Sequence, residues 1–410
     1  MDIAALKSGV EAKVPKTSSA PTSSGLSVRL IDAKQLPAYE HQWRELSSAA
    51  VVPNAFYEPW CLLPALDRLT HGRQVSFLLV FGPLDKDGTE PLWGFFPLEI
   101  HRGYLNLPVK VLSFWQHLYC FLTVPLIARS QAWEVLEMFW NWFEDNPFGC
   151  RFLDTNSFLA EGPLHEIWTD FLIGRQFTML SEYPRAFLTP EGNLESYLQS
   201  NVRKKHYDEF LRLERRFAEQ GKLEYRQVEE IGEVDSFIDQ FLRLEASGWK
   251  GRPRGGAFVL DERSAAYFRD MTRRGFLERR VWLLTLSCNG RVAAMKHNLM
   301  TGGGGFTFKI AFDEDYAKYS PGLLLELENI RRAFADPQIH WLDSCALARH
   351  PMANRIWKER RMIRQTLISD NSWVGDFWIA VFPFLRWIKK QFKPKAVPNH
   401  LKISTTQGTR

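Results

Sequence analysis

Cysteine is scarce and unpatterned in this sequence. The five residues, Cys61, Cys120, Cys150, Cys288 and Cys345, are widely spaced and include no C-x-x-C pair. That argues against a disulfide framework and against a structural zinc site, so no metal is expected and a reducing compartment fits best. No apolar stretch marks the N-terminus as a signal segment; residues 1 to about 25 are rich in Ser, Thr and Pro, as a disordered segment is. A long apolar run is also missing. The most apolar stretch, in WVGDFWIAVFPFLRWIKKQFKPK from Trp373, spans about 16 residues with Asp376 and Pro383 inside it, short of the ~20 that cross a membrane. Charge of one sign is barely in excess. The 52 basic and 47 acidic residues leave +5, too thin a margin to imply nucleic acid, and no DNA partner is expected. The expected location is cytoplasmic, at most peripheral at an inner membrane.

What is present describes a globular chain: 410 residues, 45% hydrophobic and 24% charged, with 15 Trp and 30 Phe. Two domains are the natural division at this length. An internal repeat supports it. Aligning Asp154 of RFLDTN on Asp343 of HWLDSC sets an offset of 189, and at that offset HEIWTDFLIGRQF from His165 falls on NRIWKERRMIRQT from Asn354. Helix-like segments precede both, WEVLEMFWNWFEDN and GLLLELENIRRAFADP. A period this long is a tandem duplication. The expected division is a disordered segment at 1–26, halves at 27–190 and 191–370, and an amphipathic segment with a basic tail at 371–410.

In the second half, RRVWLLTLSCNGRVAAMKHNLMTGGGGFTFKIAFD reads as three strands. Asn289-Gly290 is one hairpin turn and glycines 302–305 make the next. After FTFKIAFD, Ser320 can cap a helix, Pro321 suits its first turn, and Gly322 lets a ligand approach the backbone. Free amides there make an anion site, unless the segment is simply a well-capped helix. The first-half counterparts, Gln131, Ala132 and Trp133, include a bulky indole that blocks such an approach.

On VRKKHYDEFLRLERRF, FLRLEASGWKG, the glycine hairpin, FKIAFDEDYAKYSPGLLL and WLDSCA, residues 195–365 resemble the GNAT acyltransferase superfamily. More narrowly they resemble the BioF2-like acetyltransferase domain of CelD-type cellulose and exopolysaccharide biosynthesis proteins. WRELSSAAVVPNAFYEPW, LWGFFPLEI and HLYCFLTVPLI resemble the N-terminal portion of the same proteins. The resemblance implies an α/β fold of tandem GNAT-like domains, mixed sheets flanked by helices, with the fourth and fifth strands of the catalytic half splayed. It implies acyl-CoA (acetyl-CoA) as co-substrate, no permanently bound cofactor, and a pyrophosphate on the loop Tyr319, Ser320, Pro321, Gly322, Leu323, Leu324. This loop has one glycine where the family pattern has two. Asn354 matches a family position on the following helix, but Trp357 stands where a tyrosine acid is expected, and Trp168 repeats it in the first half.

Three residues are catalytic candidates. Lys309 lies mid-strand, and period-2 alternation puts it with Thr307 and Ala311 on one face. It either meets an acyl carbonyl or an acceptor anion, or pairs with a carboxylate as a structural lysine. Its counterpart at the same offset is Cys120. Asp343 can orient an acceptor or act as base; its repetition as Asp154 favours a shared structural role. His350, in ALARHP, has a base-compatible pKa or is a surface histidine. Trp249, Lys250 and Asn298 are the acceptor-binding candidates, an aromatic beside positive charge suiting a sugar or an anion, unless Trp249 and Lys250 simply end a helix before a flexible loop. The H-x4-D spacing of His165 and Asp170 falls on a helix and carries no chemistry here.

The expected function is transfer of an acyl group from acyl-CoA to an amine or hydroxyl of a saccharide or envelope precursor. The alternatives are Fem-like aminoacyl transfer from aminoacyl-tRNA, which the basic helix VRKKHYDEFLRLERRF would serve if it is more than a solvated face, and an inactive accessory protein of polysaccharide synthesis. Trp and Phe beside the lysines of the C-terminal segment suit contact with an anionic membrane surface, unless the segment is a helix packed on the domain.

Overall fold

The computed structural model describes residues 25–391 apart from 105, 106, 146, 147, 254 and 351. Most of the expected disordered segment (1–24) and the basic tail (392–410) lie outside the described residues.

The first half runs β1 (Ser27–Asp32), α1 (Glu40–Ala49), α2 (Pro59–Leu69), β2 (Val75–Phe81), β3 (Leu92–Tyr104), β4 (Leu107–Phe114), β5 (Leu126–Ile127), α3 (Ala132–Glu144), β6 (Phe152–Leu159), α4 (Pro163–Leu172) and β7 (Phe177–Leu188). Helices α5 (Leu194–Asn201) and α6 (Lys204–Ala218) lead into the second half. That half runs β8 (Leu223–Gln227), α7 (Ile231–Ser247), α8 (Glu262–Leu277), β9 (Val281–Cys288), β10 (Arg291–Thr301), β11 (Gly304–Phe312), α9 (Pro321–Ala335), β12 (Trp341–Asp343), α10 (Ala353–Ile356) and β13 (Glu359–Ser369). Helix α11 (Trp373–Gln391) follows.

The thirteen strands among the described residues form one mixed sheet, in the order β1-β2-β3-β4-β6-β13-β7-β12-β11-β10-β9-β8, with β5 pairing β3 off the path. The order is the same read from either edge once the halves are superposed. Each half has four antiparallel strands and then one parallel pair, β4 with β6 and β11 with β12. The terminal strands are exchanged: β13 lies against β6 of the first half, β7 against β12 of the second, and the two pair with each other at the centre.

The two hairpin turns obey local stereochemistry. Asn289 and Gly290 adopt φ of 50° and 78°, and Gly302 and Gly303 adopt 48° and 72°, the left-handed conformations that a two-residue turn requires. A Cβ on Gly302 would also stand 2.3 Å from Pro53. Of the four glycines expected in that turn, only these two turn the chain. Gly304 and Gly305 open β11, where a Cβ would meet the Trp341 indole at 2.3 Å and the Met300 sulfur at 2.7 Å. They are glycine because β12 and β10 pack closely there.

The repeat is real over part of its expected length. Both α3 and α9 begin at the offset of 189, as do β6 and β12, and Asp154 and Asp343 each lie on the strand of the parallel pair. Past Trp168 and Trp357 it fails. Helix α4 has ten residues and α10 four, so Arg175 and Gln176 precede β7 while Arg364 and Gln365 lie within β13. Upstream it fails too. Ser113 faces Asp154 and Phe306 faces Asp343, so an insertion lies between β4 and α3, and Cys120 is no counterpart of Lys309.

The inserted residues fill the first half's gap and cross to the second half. The Tyr57 hydroxyl donates to Trp115 O, and Asn54 Nδ2 donates to Leu122 O and Val124 O, fixing the segment. Tyr119 packs on Phe258 at 4.5 Å and Phe121 on Phe308 at 6.0 Å between ring centroids. These rings belong to one aromatic core, with Phe56, Trp60, Tyr267 and Phe306, that spans both halves. A fully buried aromatic of this kind contributes about 1.5–3 kcal/mol.

Candidate acyl-transfer cleft

In the second half β11 and β12 pair only from Gly304–Trp341 to Phe306–Asp343. Beyond that they part. Ser344 N donates to Ala186 O of β7, and Cys345, at φ 54°, turns the chain away. On the other side of β11 the register with β10 slips: His297 faces Lys309 and Leu299 faces Phe306, so Asn298 alone stands opposite Thr307 and Phe308. This bulge breaks the expected alternation. Lys309 and Ala311 keep one face, but Phe306 and Phe308 share it.

The parted strands leave a cleft in two adjoining cavities. The outer one, of about 460 Å³, runs from Ser320–Leu323 at the start of α9 across Ile310–Phe312 to the end of α7. The inner one, of about 240 Å³, lies between Thr307–Ile310 and Ser344–Leu347. Lys250, Ile310, His350 and Met352 line both.

At the mouth of α9 Ser320 is left-handed (φ 52°, ψ 54°), its side chain makes no cap bond, and its own amide donates to Ala317 O. Pro321 has no amide proton. The amides of Leu323 and Leu324 both donate to Ser320 O. Only Gly322 N–H is left for a ligand in this turn, a narrower cradle than the Ser320–Leu324 run expected. The side chains of Tyr319 and Leu324 belong to the core, Tyr319 stacking on Phe217 at 5.0 Å. Asn354 donates its amide to Ala348 O and holds the loop after β12.

Lys309 Nζ rests over the rings of Phe258 (4.9 Å) and Tyr119 (5.1 Å) and has no carboxylate within 4.0 Å among the described residues. Burial pulls its ammonium down to about 8. Lys250 Nζ donates to Ile310 O at 2.6 Å and lies 3.7 Å from Glu245; burial lowers its pKa, against the raising effect of that carboxylate. His350 accepts the Ala353 amide at Nδ1, and its pKa is lowered, chiefly by burial. Trp249 is exposed, its amide donating to Glu314.

Asn298 and Asp343 also lie apart from the cleft. Asn298 lines neither cavity; its amide donates to Asn329 Oδ1 at 2.7 Å. Asn329 bonds Glu326, which pairs with Lys296 at 2.6 Å, a buried polar chain tying β10 to α9. Asp343 is fully buried. Its Oδ1 accepts the Cys345 amide at 2.8 Å, and its Oδ2 lies 3.3 Å from Arg361 of β13 and 3.7 Å from Arg185 of β7. Asp154 is held likewise by Gln365 of β13, at 3.0 Å, and burial raises its pKa to about 6.

Sequence reasoning missed Glu245, a buried carboxylate of the outer cavity. Its only signal was an acidic residue on the apolar side of FLRLEASGWKG. Tyr119 was missed because nothing local shows a first-half loop reaching Lys309.

Residues 204–359 match the family model described as an acetyltransferase (GNAT) domain. The solved structure of FemX is similar in fold over 80% of this chain and 95% of its own, at 8% identity and a TM-score of 0.53. A conserved protein of unknown function from Bacteroides thetaiotaomicron covers 81% of this chain and 96% of its own (9% identity, TM-score 0.49). A tandem GNAT protein from the clavulanic acid biosynthesis pathway covers 83% and 98% (13% identity, TM-score 0.42). No curated protein matches the sequence.

Proposed function

We propose that this acyltransferase, with its GNAT domain at residues 204–359, moves an acyl group from acyl-CoA to a group on a saccharide or cell-envelope precursor. The GNAT family uses acyl-CoA as co-substrate, and the observation that carries the reading is the cleft between β11 and β12. On its β12 side the edge of β11 past Phe306 has lost its strand partner, so an extended pantetheine can lie along it. The Gly322 amide and the start of α9 receive phosphate at one end. The thioester then reaches the inner cavity, where Lys309 meets the carbonyl or an anionic group of the acceptor. Calorimetry with acetyl-CoA tests this. Binding near or below millimolar Kd supports it, and no heat at any practical concentration removes it.

Lys309 is the cation that the site can spend, and Lys309→Met is its test. Because burial holds its pKa at about 8 against 10.5 ordinarily, the unfolded chain binds the proton more tightly between those pH values. Charged Lys309 therefore costs stability in full below pH 8, and the cost is relieved as pH rises towards 10.5. That difference amounts to about 3 kcal/mol. The methionine variant should hold or raise the Tm at pH 7, with a gain that shrinks at alkaline pH. Acyl transfer should fall at least about tenfold, or ~1.4 kcal/mol in the barrier. A variant that melts earlier and transfers at the normal rate would retire Lys309 from the site.

The exposed basic face of α6, with Lys204, Lys205, Arg212, Arg215 and Arg216, favours the aminoacyl-tRNA reading instead. RNA binding that weakens steeply with salt would support it.

We further propose a membrane contact at α11. No helix among the described residues is long and apolar enough to cross a membrane. Ile379 and Phe382 pack on the sheet, while Trp373, Phe377, Phe384 and Trp387 stay exposed at helical spacing, ahead of a lysine-rich sequence. Such a stripe suits a helix lying in the surface of an anionic bilayer. Co-sedimentation with phosphatidylglycerol vesicles should drop severalfold in a Trp373→Ser, Trp387→Ser variant; equal binding would place the contact elsewhere.

A further inference from the structure

Glu245 is an unused carboxylate in the cleft. It lies in the last turn of α7, is 2% exposed, and lines the outer cavity beside Lys250 and Ile310. Oε2 accepts the Phe258 amide at 2.9 Å. Oε1 has no hydrogen-bond partner among the described residues. The nearest cation, Lys250 Nζ, forms an ion pair with Oε1 at 3.7 Å, longer than a hydrogen bond, and directs one of its three protons to Ile310 O. A buried acceptor atom without a hydrogen bond is costly, and a bound hydroxyl would supply the missing donor.

The surroundings say what donor that is. Lys250, on the same segment, lines the outer cavity with Glu314, His350 and Arg355, and Lys309 of β11 lines the adjoining inner cavity with Lys296 and Glu326. Across the two cavities the cations Lys250, Lys296, Lys309 and Arg355 outnumber the carboxylates Glu245, Glu314 and Glu326, so a further positive charge, from a protonated amine acceptor, is disfavoured. A hydroxyl brings a proton without a charge.

Resting on the acyl-CoA reading above, we propose that Glu245 is the base of an O-acyl transfer and that the acceptor group is a hydroxyl. Glu245 Oε1 takes the hydroxyl proton as the acceptor oxygen bonds to the thioester carbonyl carbon. The tetrahedral intermediate collapses, the carbon–sulfur bond breaks, and the sulfur leaves with the electron pair. The proton on Glu245 then passes to that thiolate, so the cycle ends with an ester, free CoA and an ionised Glu245. No tyrosine acid is required, in keeping with Trp357 at that place.

The test uses the full chain and acetyl-CoA, with thiol release followed against water, cellobiose and glucosamine as acceptors. Glu245→Gln keeps an oxygen for the Phe258 amide, so acetyl-CoA binding by calorimetry should be unchanged. Thiol release should fall about 100-fold in kcat with little change in KM for acetyl-CoA. Glu245→Asp should restore part of it, which a merely structural role would not predict. Release by Glu245→Gln at the wild-type rate overturns the assignment. So does a wild-type protein that binds acetyl-CoA and releases no thiol even to water. Faster release with glucosamine than with cellobiose, giving an amide, overturns the hydroxyl class. Absence of acetyl-CoA binding by the wild type would instead remove the donor reading itself.

Discussion

Gly322→Trp should abolish acyl-CoA binding while leaving the fold intact. Gly322 lies inside the first turn of α9, outside the left-handed region, so a side chain is conformationally allowed there. A Cβ would meet Phe312 and Ile310 at 3.5 and 3.6 Å, ordinary contact distances. An indole on that Cβ has no room except the outer cavity, across the path from the Gly322 amide to Ile310. The first half has made this change already, with Trp133 at the equivalent helix position packed on Phe171 at 4.4 Å. We expect Kd for acetyl-CoA to rise at least about 100-fold, or ~2.7 kcal/mol. The Tm should hold or rise, since tryptophan favours a helix more than glycine does. Gly322→Ala is the control and should bind within a few fold of wild type. Unchanged affinity in the tryptophan variant would show that the donor lies elsewhere.

Asp343→Asn should have the largest effect on stability. Asparagine keeps the acceptor for the Cys345 amide but withdraws the charge facing Arg185 and Arg361. Arg185 is 2% exposed, so its guanidinium is left buried with the hydrogen bonds to Phe121 O and Tyr183 and no anion. Breaking a buried pair on one side costs about 3–5 kcal/mol. Both arginines sit on the exchanged strands, so the loss falls on the join between halves, and the Tm should drop by several degrees. A catalytic aspartate would behave differently, with normal melting and lost turnover, and that result would return Asp343 to the list of bases.

The tandem arrangement was legible because helix and strand starts repeat at a constant offset around Asp154 and Asp343, and hairpin turns announce themselves as Asn-Gly and Gly-Gly. The strand exchange was not legible. A strand carries its alternation but not the address of its partner, and β7 and β13 satisfy either sheet equally well. The bulge at Asn298 was hidden for a related reason: one slipped pair resets the faces of β11 without changing its composition. In the cleft, Ser320–Gly322 could be found from helix-start chemistry. How few of the amides there are free depends on where Ser320 O accepts, which only coordinates give. Glu245 was invisible because an acidic residue near a helix end reads as solvated until the neighbouring loop is seen to cover it.

The exchanged strands bear on how the chain is made. While the ribosome is still working through residues after Leu188, the first half has β6 and β7 in hand, but β13, the strand that lies between them, has not been synthesised. Contacts such as Leu153 with Ile368 must wait for most of the polypeptide. Non-local pairing of this kind folds slowly, and open strand edges recruit other chains in the interval. Expression of the first half alone, ending near Leu188, should therefore give insoluble or swapped material rather than a free domain. Supplying the second half as a separate chain in the same cell should rescue it, because each fragment then carries the strand the other lacks.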